Sequence, residues 1–239
     1  MKENFTVNNH SSIRIQGEKV VFYIDPFNID GTPKDADVIL ITHLHHDHLS
    51  IDDIKKVMND KTFFLAPQDC ISKLIENSIL GKIGGREGNW TMITEKSFGD
   101  YWFFFDGFDY DFNAKVMNFR AYNIDKFRSP NVPYHPKENN WVGYVLEIDG
   151  KIYVICGDTD FTTELRELKN SKLFKDIDVL FVPIGSIYTM TAKEASEFVN
   201  TIKPKLVVPV HYNSLVGTKD DEKIFIENLD KQIPYKIML

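Results

Sequence analysis

The sequence predicts a layered α/β protein in which helices flank two β-sheets. Three observations carry this expectation. Between Val38 and Ile79, short apolar runs alternate with segments of helical spacing, the mark of layered α/β architecture. From Thr91 to Ala121 the pattern changes to strands, with aromatic residues alternating with polar ones. After Gly157-Asp158-Thr159-Asp160 the strand–helix alternation returns.

Taken in order, Ser12 to Asp25 reads as two strands around a turn at Gln16-Gly17-Glu18. Ile13 and Ile15 supply the first strand, and Val20-Val21-Phe22-Tyr23-Ile24 the second. Asp25-Pro26-Phe27 ends it, because proline stops the ladder. A polar loop, Asn28 to Asp37, leads into the buried strand Val38-Ile39-Leu40-Ile41. Ser50, with Asp53 three residues later, caps a helix that Ile51, Ile54, Val57 and Met58 continue. Thr62-Phe63-Phe64-Leu65-Ala66 is a short strand closed by Pro67, and Ile71, Leu74, Ile75 and Ile79 mark a second helix. The glycine-rich stretch Gly81 to Trp90 lacks the Gly-Lys-Ser/Thr ending of a phosphate loop and reads as a flexible turn.

Strands dominate the middle. The run Tyr101-Trp102-Phe103-Phe104-Phe105 reads as packing, followed by alternation through Phe108, Tyr110 and Phe112 and again from Val116 to Tyr122. Trp141 to Ile148 and Lys151 to Cys156 form a hairpin about Asp149-Gly150. Leu165, Leu168 and Leu173 lie on a helix, and Val179-Leu180-Phe181-Val182 is a strand closed by Pro183. Thr191 and Glu194 form a capping box for a helix reaching Ile202. Leu206 to Val210 is the next strand, Ile224, Phe225 and Leu229 mark a helix, and Tyr235 to Leu239 a last strand. No linker divides the chain, so residues 1–239 read as one domain.

At 239 residues and 43 % hydrophobic, the chain can bury a sizeable core. No apolar run approaches the roughly 20 residues that span a bilayer. Met1-Lys2-Glu3-Asn4-Phe5 carries no signal-like apolar region. Two cysteines, Cys70 and Cys156, fit a reducing, cytoplasmic compartment, and Cys156 reads as a buried small hydrophobe. A net charge of −7 argues against a surface built to grip nucleic acid. The composition leaves homo-oligomers open.

The chemistry concentrates at strand ends. Four of the seven histidines, His43, His45, His46 and His48, surround Asp47 directly after the strand at Val38–Ile41. Imidazole and carboxylate are the usual ligands of Zn²⁺ and similar ions. Asp158 follows the strand Ile152–Cys156, and His211 follows Leu206–Val210. Separate strands delivering His, Asp and His to one edge is how a site is assembled in a layered fold. His43 and His45 alternate on one side and suit a shared ion, while Asp47 and His48 suit a second.

His43-Leu44-His45-His46-Asp47-His48 resembles the HxHxDH signature of the metallo-β-lactamase superfamily, and Asp25, Asp158 and His211 match its further motifs in order and spacing. The resemblance runs from His10 to Tyr212; His10-Ser11-Ser12 and Asp25-Pro26-Phe27 are similar to the ascorbate-6-phosphate lactonase-like hydrolases. It implies a four-layer αββα sandwich with a metal site at one sheet edge. It further implies that His43 and His45 belong to site one, Asp47, His48 and His211 to site two, and that Asp158 bridges. Asp25 is expected to orient a ligand histidine, and His46 to point away.

The pattern departs at the third histidine of site one. The family places it at the end of the strand before the Gly-Asp-Thr hairpin, where this chain has Ala121-Tyr122-Asn123. A neutral amide oxygen such as that of Asn123 is a weak donor to zinc. His135, in Pro133-Tyr134-His135-Pro136-Lys137, is the candidate substitute as ligand or substrate contact. His10 is a further candidate for metal or substrate, with a structural role as the alternative. Tyr188 and Thr189, after Gly185-Ser186, are candidates to line the pocket. Arg120, Lys126, Arg128 and Lys137 either recognise a phosphate or carboxylate or are solvated.

These readings converge on a metal-dependent hydrolase using a metal-bound hydroxide on a small ester, lactone, amide or phosphodiester, anionic substrates included. Asp47 serves as ligand, as general base, or as both. The cofactor is one or two divalent ions, Zn²⁺ first, with Mn²⁺ or Fe as alternatives. A nuclease or phosphodiesterase and a non-catalytic metal-binding sensor are the competing functions.

Overall fold

The computed structural model describes residues 4–81, 89–98, 103–104, 112, 114–168 and 176–239. They fall into two compact units, Met1–Ser97 and Phe98–Leu239. Most of the glycine-rich turn, the aromatic run apart from 103–104, Phe108, Tyr110 and Leu173 lie outside the described residues.

The first unit is a six-stranded sheet with strands in chain order, β1 (Phe5–Asn9), β2 (Ser12–Gln16), β3 (Val21–Ile24), β4 (Ala36–Leu40), β5 (Met58–Pro67) and β6 (Trp90–Ile93). The first three pair antiparallel through tight turns, and β3 to β6 run parallel. Helices α1 (Ile51–Val57) and α2 (Gln68–Glu76) pack Ile54, Val57, Cys70, Ile71 and Leu74 into a core with Ile39, Ile41 and Phe64. All of β4 but Asp37 is buried, as a central parallel strand should be.

Ser50 caps α1 as its sequence position predicts. The helix is shorter than the spacing suggests, since Met58 opens β5 in extended conformation. The side chains of Asn59 and Thr62 bond the Ala36 carbonyl, carrying the backbone past an irregularity in the β4–β5 ladder and lengthening that strand. Likewise α2 ends at Glu76, so Ile79 lies beyond it. The strand β1 was not foreseen; its inward residues, Phe5 and Val7, are too few to stand out.

Asp53 ties α1 to the loop before it. Its carboxylate accepts from Lys56 Nζ at 2.7 Å, Ser50 Oγ at 2.7 Å, and the Asn28 and Ile29 N–H groups at 3.0 Å each. Burial alone would raise this carboxyl, but Lys56, Ser50 and the two backbone donors hold it below its ordinary value. A carboxyl depressed in the folded state stabilises above its unfolded pKa of about 3.9 and loses that contribution as pH falls through the lower folded value. Asp53→Asn should therefore lower stability by about 2 kcal/mol at pH 7. In urea melts, the gap from wild type should shrink below about pH 4; a pH-independent gap would refute the assignment.

The second unit is a six-stranded sheet ordered β14-β13-β12-β11-β8-β7, with a separate two-stranded hairpin. Its elements are β7 (Phe103–Phe104), β8 (Ala114–Arg120), β9 (Phe127–Ser129), β10 (Val132–Pro133), β11 (Val142–Ile148), β12 (Lys151–Ile155), α3 (Thr163–Leu168), β13 (Val179–Pro183), α4 (Ala192–Ile202), β14 (Val207–Val210) and α5 (Lys219–Asn228). Strands β7, β8, β11 and β12 meet antiparallel; β12, β13 and β14 are parallel. Asp149 and Gly150, both at positive φ, make the two-residue turn their sequence predicts. The Thr191–Glu194 capping box opens α4, whose Ala195, Phe198, Val199 and Ile202 join a core with Val154, Cys156, Leu180 and Val182.

Two expectations fail here. Tyr235 to Leu239 is not a strand: among the described residues its one bridge is Val207–Tyr235, because the segment meets just the first residue of β14. Leu229 caps α5 from outside the helix, turning extended after Asn228. Among the described residues, no helix is long and apolar enough to cross a membrane.

Candidate metal centre

In the first unit the donors follow β4. Thr42 Oγ1 donates to Asp25 Oδ2 at 2.6 Å and the Thr42 N–H to Asp25 Oδ1 at 2.8 Å. Because that hydroxyl proton is committed to the carboxylate, its oxygen accepts from His43 Nδ1 at 2.9 Å. His48 Nδ1 donates to Asp25 Oδ2 at 2.7 Å. Both rings are thus held at Nδ1, His48 by the carboxylate directly and His43 through the Thr42 hydroxyl, and turn Nε2 away from these partners, an arrangement found among ligating histidines. Burial pushes the Asp25 carboxyl up, opposed by His48 and Thr42.

His43 Nε2 lies 3.0 Å from His45 Nδ1. Asp47 Oδ2 lies 3.1 Å from His10 Nε2 and 3.7 Å from His48 Nε2. The ligand atoms of His10, Asp47 and His48 are all within 4.8 Å of one another. His10 is wholly buried, whereas His46 is exposed, its ring 3.6 Å from Asp47. His10 and Asp25 have φ of 51° and 48°, a left-handed backbone that non-glycine residues adopt under constraint and that clusters at functional sites.

In the second unit, Asp158 Oδ2 lies 3.0 Å from His211 Nε2 and 3.2 Å from His135 Nε2, and all three residues are at most 3 % exposed. His211 follows β14 with φ 58°. Gly185, after β13, is packed so closely against it that an added Cβ would stand 2.2 Å from the His211 carbonyl oxygen. Asn123 turns its side-chain oxygen to His135 and its NH₂ to Asp160 and the Tyr188 carbonyl. Tyr188 is half-buried, edge-on to Tyr134 at 4.6 Å, and Thr189 is buried.

The basic residues near this loop are already matched. Lys126 contacts Asp125, Asp160 and Glu194, and Lys137 pairs with Glu164, which also receives the Tyr122 hydroxyl. Arg128 and Arg120 donate to the Tyr134 and Lys137 carbonyls. Cys70 and Cys156 are free and buried, and burial holds both thiols up. Thr42 and Asp160 also take part in these networks, though neither is a candidate on residue type alone. The signal for Thr42 was its place one residue before His43; Asp160 closes Gly157-Asp158-Thr159-Asp160.

The chemistry of the donors fits a divalent ion. Buried imidazoles and carboxylates with converging lone pairs, and no thiolate among them, suit Zn²⁺, Mn²⁺ or Fe. Each unit carries such a His/Asp cluster.

The sequence profile of the β-lactamase superfamily domain matches residues 4–211. A UPF0173 metal-dependent hydrolase of Thermococcus onnurineus is 31 % identical over 221 residues, covering 86 % of this chain and 82 % of the relative. Among solved structures, a protein assigned as a metal-dependent hydrolase from Parabacteroides distasonis superposes with a TM-score of 0.74 at 28 % identity, covering 98 % of this chain and 91 % of that one. The metallo hydrolase Igni18 of Ignicoccus hospitalis, 18 % identical, shares the fold with a TM-score of 0.69, covering 98 % and 94 %. The chain has the metallo-β-lactamase fold and belongs to the β-lactamase superfamily, among its metal-dependent hydrolases.

Proposed function

We propose that the chain's His and Asp donors support metal-dependent hydrolysis, with residues 1–239 acting as a single functional domain. In this reading His43, His45 and His135 would hold one ion. Asp47, His48 and His211 would hold the second, with His10 beside Asp47, and Asp158 would be shared by the two sets. The observation that carries the reading is the Asp158 carboxylate, one oxygen of which stands within 3.2 Å of two buried imidazole nitrogens. A divalent ion on these donors, zinc in this proposal, would polarise a carbonyl or phosphoryl oxygen and lower the pKa of water towards neutrality.

The chain's own residues do the rest. Asp47 takes the proton of the attacking water. Asp25 and Thr42 fix the rings of His48 and His43. Tyr188 and Tyr134 form an aromatic wall for the substrate. Asn123 serves behind His135 rather than as a donor to the ion. A groove of about 690 Å³, lined in part by Tyr134, Lys126, Ile187 and Glu194, is of a size for a small molecule. The substrate class is a small ester, lactone, amide or phosphodiester in the cytoplasm. A phosphorylated lactone is the specific candidate, supported by His10-Ser11-Ser12 and Asp25-Pro26-Phe27.

Asp158→Ala tests this. The wild-type chain should bind zinc and hydrolyse at least one member of a panel of lactones, esters and a chromogenic phosphodiester, and chelation should abolish that turnover. The variant should lose roughly 10²-fold or more in zinc affinity, turnover, or both. Unchanged metal content and unchanged turnover would sink the proposal.

A further inference from the structure

The side-chain amide of Asn123 has a fixed orientation, and two backbone groups decide it. On one side the His135 N–H, which can only donate, lies 2.9 Å from Oδ1. On the other the Tyr188 carbonyl, which can only accept, lies 2.8 Å from Nδ2. The same NH₂ donates to Asp160 Oδ1 at 3.0 Å. Exchanging O and N would place donor against donor and acceptor against acceptor. Oδ1 therefore faces His135, whose ring Nδ1 stands 2.9 Å away. A carbonyl oxygen cannot donate, so Nδ1 must carry the proton.

The anchoring extends further. The Asn123 N–H donates to the His135 carbonyl at 2.9 Å, so the loop between them is closed by a reciprocal pair. Asp160 Oδ2 accepts from the N–H groups of Ile124 and Asp125 at 2.7 and 3.1 Å. Lys126 Nζ lies 3.5 Å from Asp160 Oδ1. Asn123, His135 and Asp160 are all buried, and an amide in such surroundings does not rotate freely.

We infer that Asn123 is a positioning residue that fixes the tautomer and rotamer of His135, directing an unprotonated Nε2 at Asp158, with Asp160 holding the amide from behind. Two lone pairs, on Nε2 and Asp158 Oδ2, thus converge at 3.2 Å, a geometry that a cation between them satisfies. The inference rests on the reading of His135 as a ligand.

The test uses the full chain with ¹⁵N-labelled histidine and zinc as the probe. In long-range ¹H–¹⁵N spectra of the zinc-loaded protein, His135 should show a protonated Nδ1 and a metal-shifted Nε2. In the metal-free Asn123→Ala variant at pH 8.5, the proton should shift towards Nε2, and zinc affinity in chelator competition should fall roughly 10- to 100-fold. A proton on Nε2 of His135 in the metal-free wild-type protein at that pH overturns the inference without any variant. Unchanged zinc affinity in a folded Asn123→Ala chain also overturns it. His135→Ala separates the two claims: if it leaves zinc affinity untouched, the ligand reading fails first.

Discussion

Asp25→Asn is expected to fold and yet bind zinc roughly 10- to 100-fold more weakly, with hydrolysis falling in parallel. The carboxylate receives the Thr42 N–H on Oδ1 and both Thr42 Oγ1 and His48 Nδ1 on Oδ2. An asparagine must keep its oxygen towards the Thr42 N–H, a donor only, so its NH₂ falls where Oδ2 was. His48 Nδ1 then has to accept, which moves the proton to Nε2 and removes the lone pair that a ligand needs. The volume barely changes, so the melting curve should stay close to that of wild type while chelator competition reports the loss. Wild-type zinc affinity in the variant would show that Asp25 does not set the His48 tautomer.

The second large effect is expected at Gly185. Its substitution by alanine puts a Cβ 2.2 Å from the His211 carbonyl oxygen, 2.9 Å from His211 Nδ1 and 3.0 Å from Val216 Cγ2. Backbone cannot yield as a flexible side chain does, so the Gly185 and His211 segments must move apart, which disturbs the 3.0 Å contact of His211 with Asp158. Overpacking of this kind costs roughly 1–3 kcal/mol, and a displacement near 1 Å at a reacting group can cost about 10²-fold in rate. Gly185→Ala should therefore lower both Tm and turnover, with the rate loss exceeding what the unfolded fraction explains. A variant with wild-type Tm and rate would contradict the packing described for His211.

Much of the framework was written in local chemistry. Apolar runs ending at Thr42, Cys156 and Val210 announced three strand ends, and Ser50, Thr191 and Asp149-Gly150 announced two caps and a turn. Elements defined by pairing rather than by composition were not legible. The first strand offers only Phe5 and Val7 to the core, the β9–β10 hairpin is exposed or half-exposed throughout, and Tyr235 pairs at a single residue. The histidine cluster, Asp158 and His211 stand out as candidate donors from residue type and position alone. The place of His135 could not, because the loop carrying it is closed by a side chain. Asn123 looked like an inferior ligand in the sequence; its two amide ends, bonded to His135 and to Asp160 and Tyr188, give it another occupation. Thr42 went unnoticed because its hydroxyl gains meaning only from Asp25, 17 positions earlier.

The left-handed backbone at His10, Asp25 and His211 has a consequence for engineering this chain. Each such residue stores on the order of 1–2 kcal/mol, so these three polar residues rest on conformations that the remainder of each unit must hold in place. Glycine relaxation at these positions would loosen the backbone that presents these candidate donors. Lys34 and Lys203 have φ of 54° and 57° and no part in either donor set, so the same strain there is free to be removed. A thermostabilised version of this enzyme is best sought at those two lysines, leaving the tension around the histidines intact.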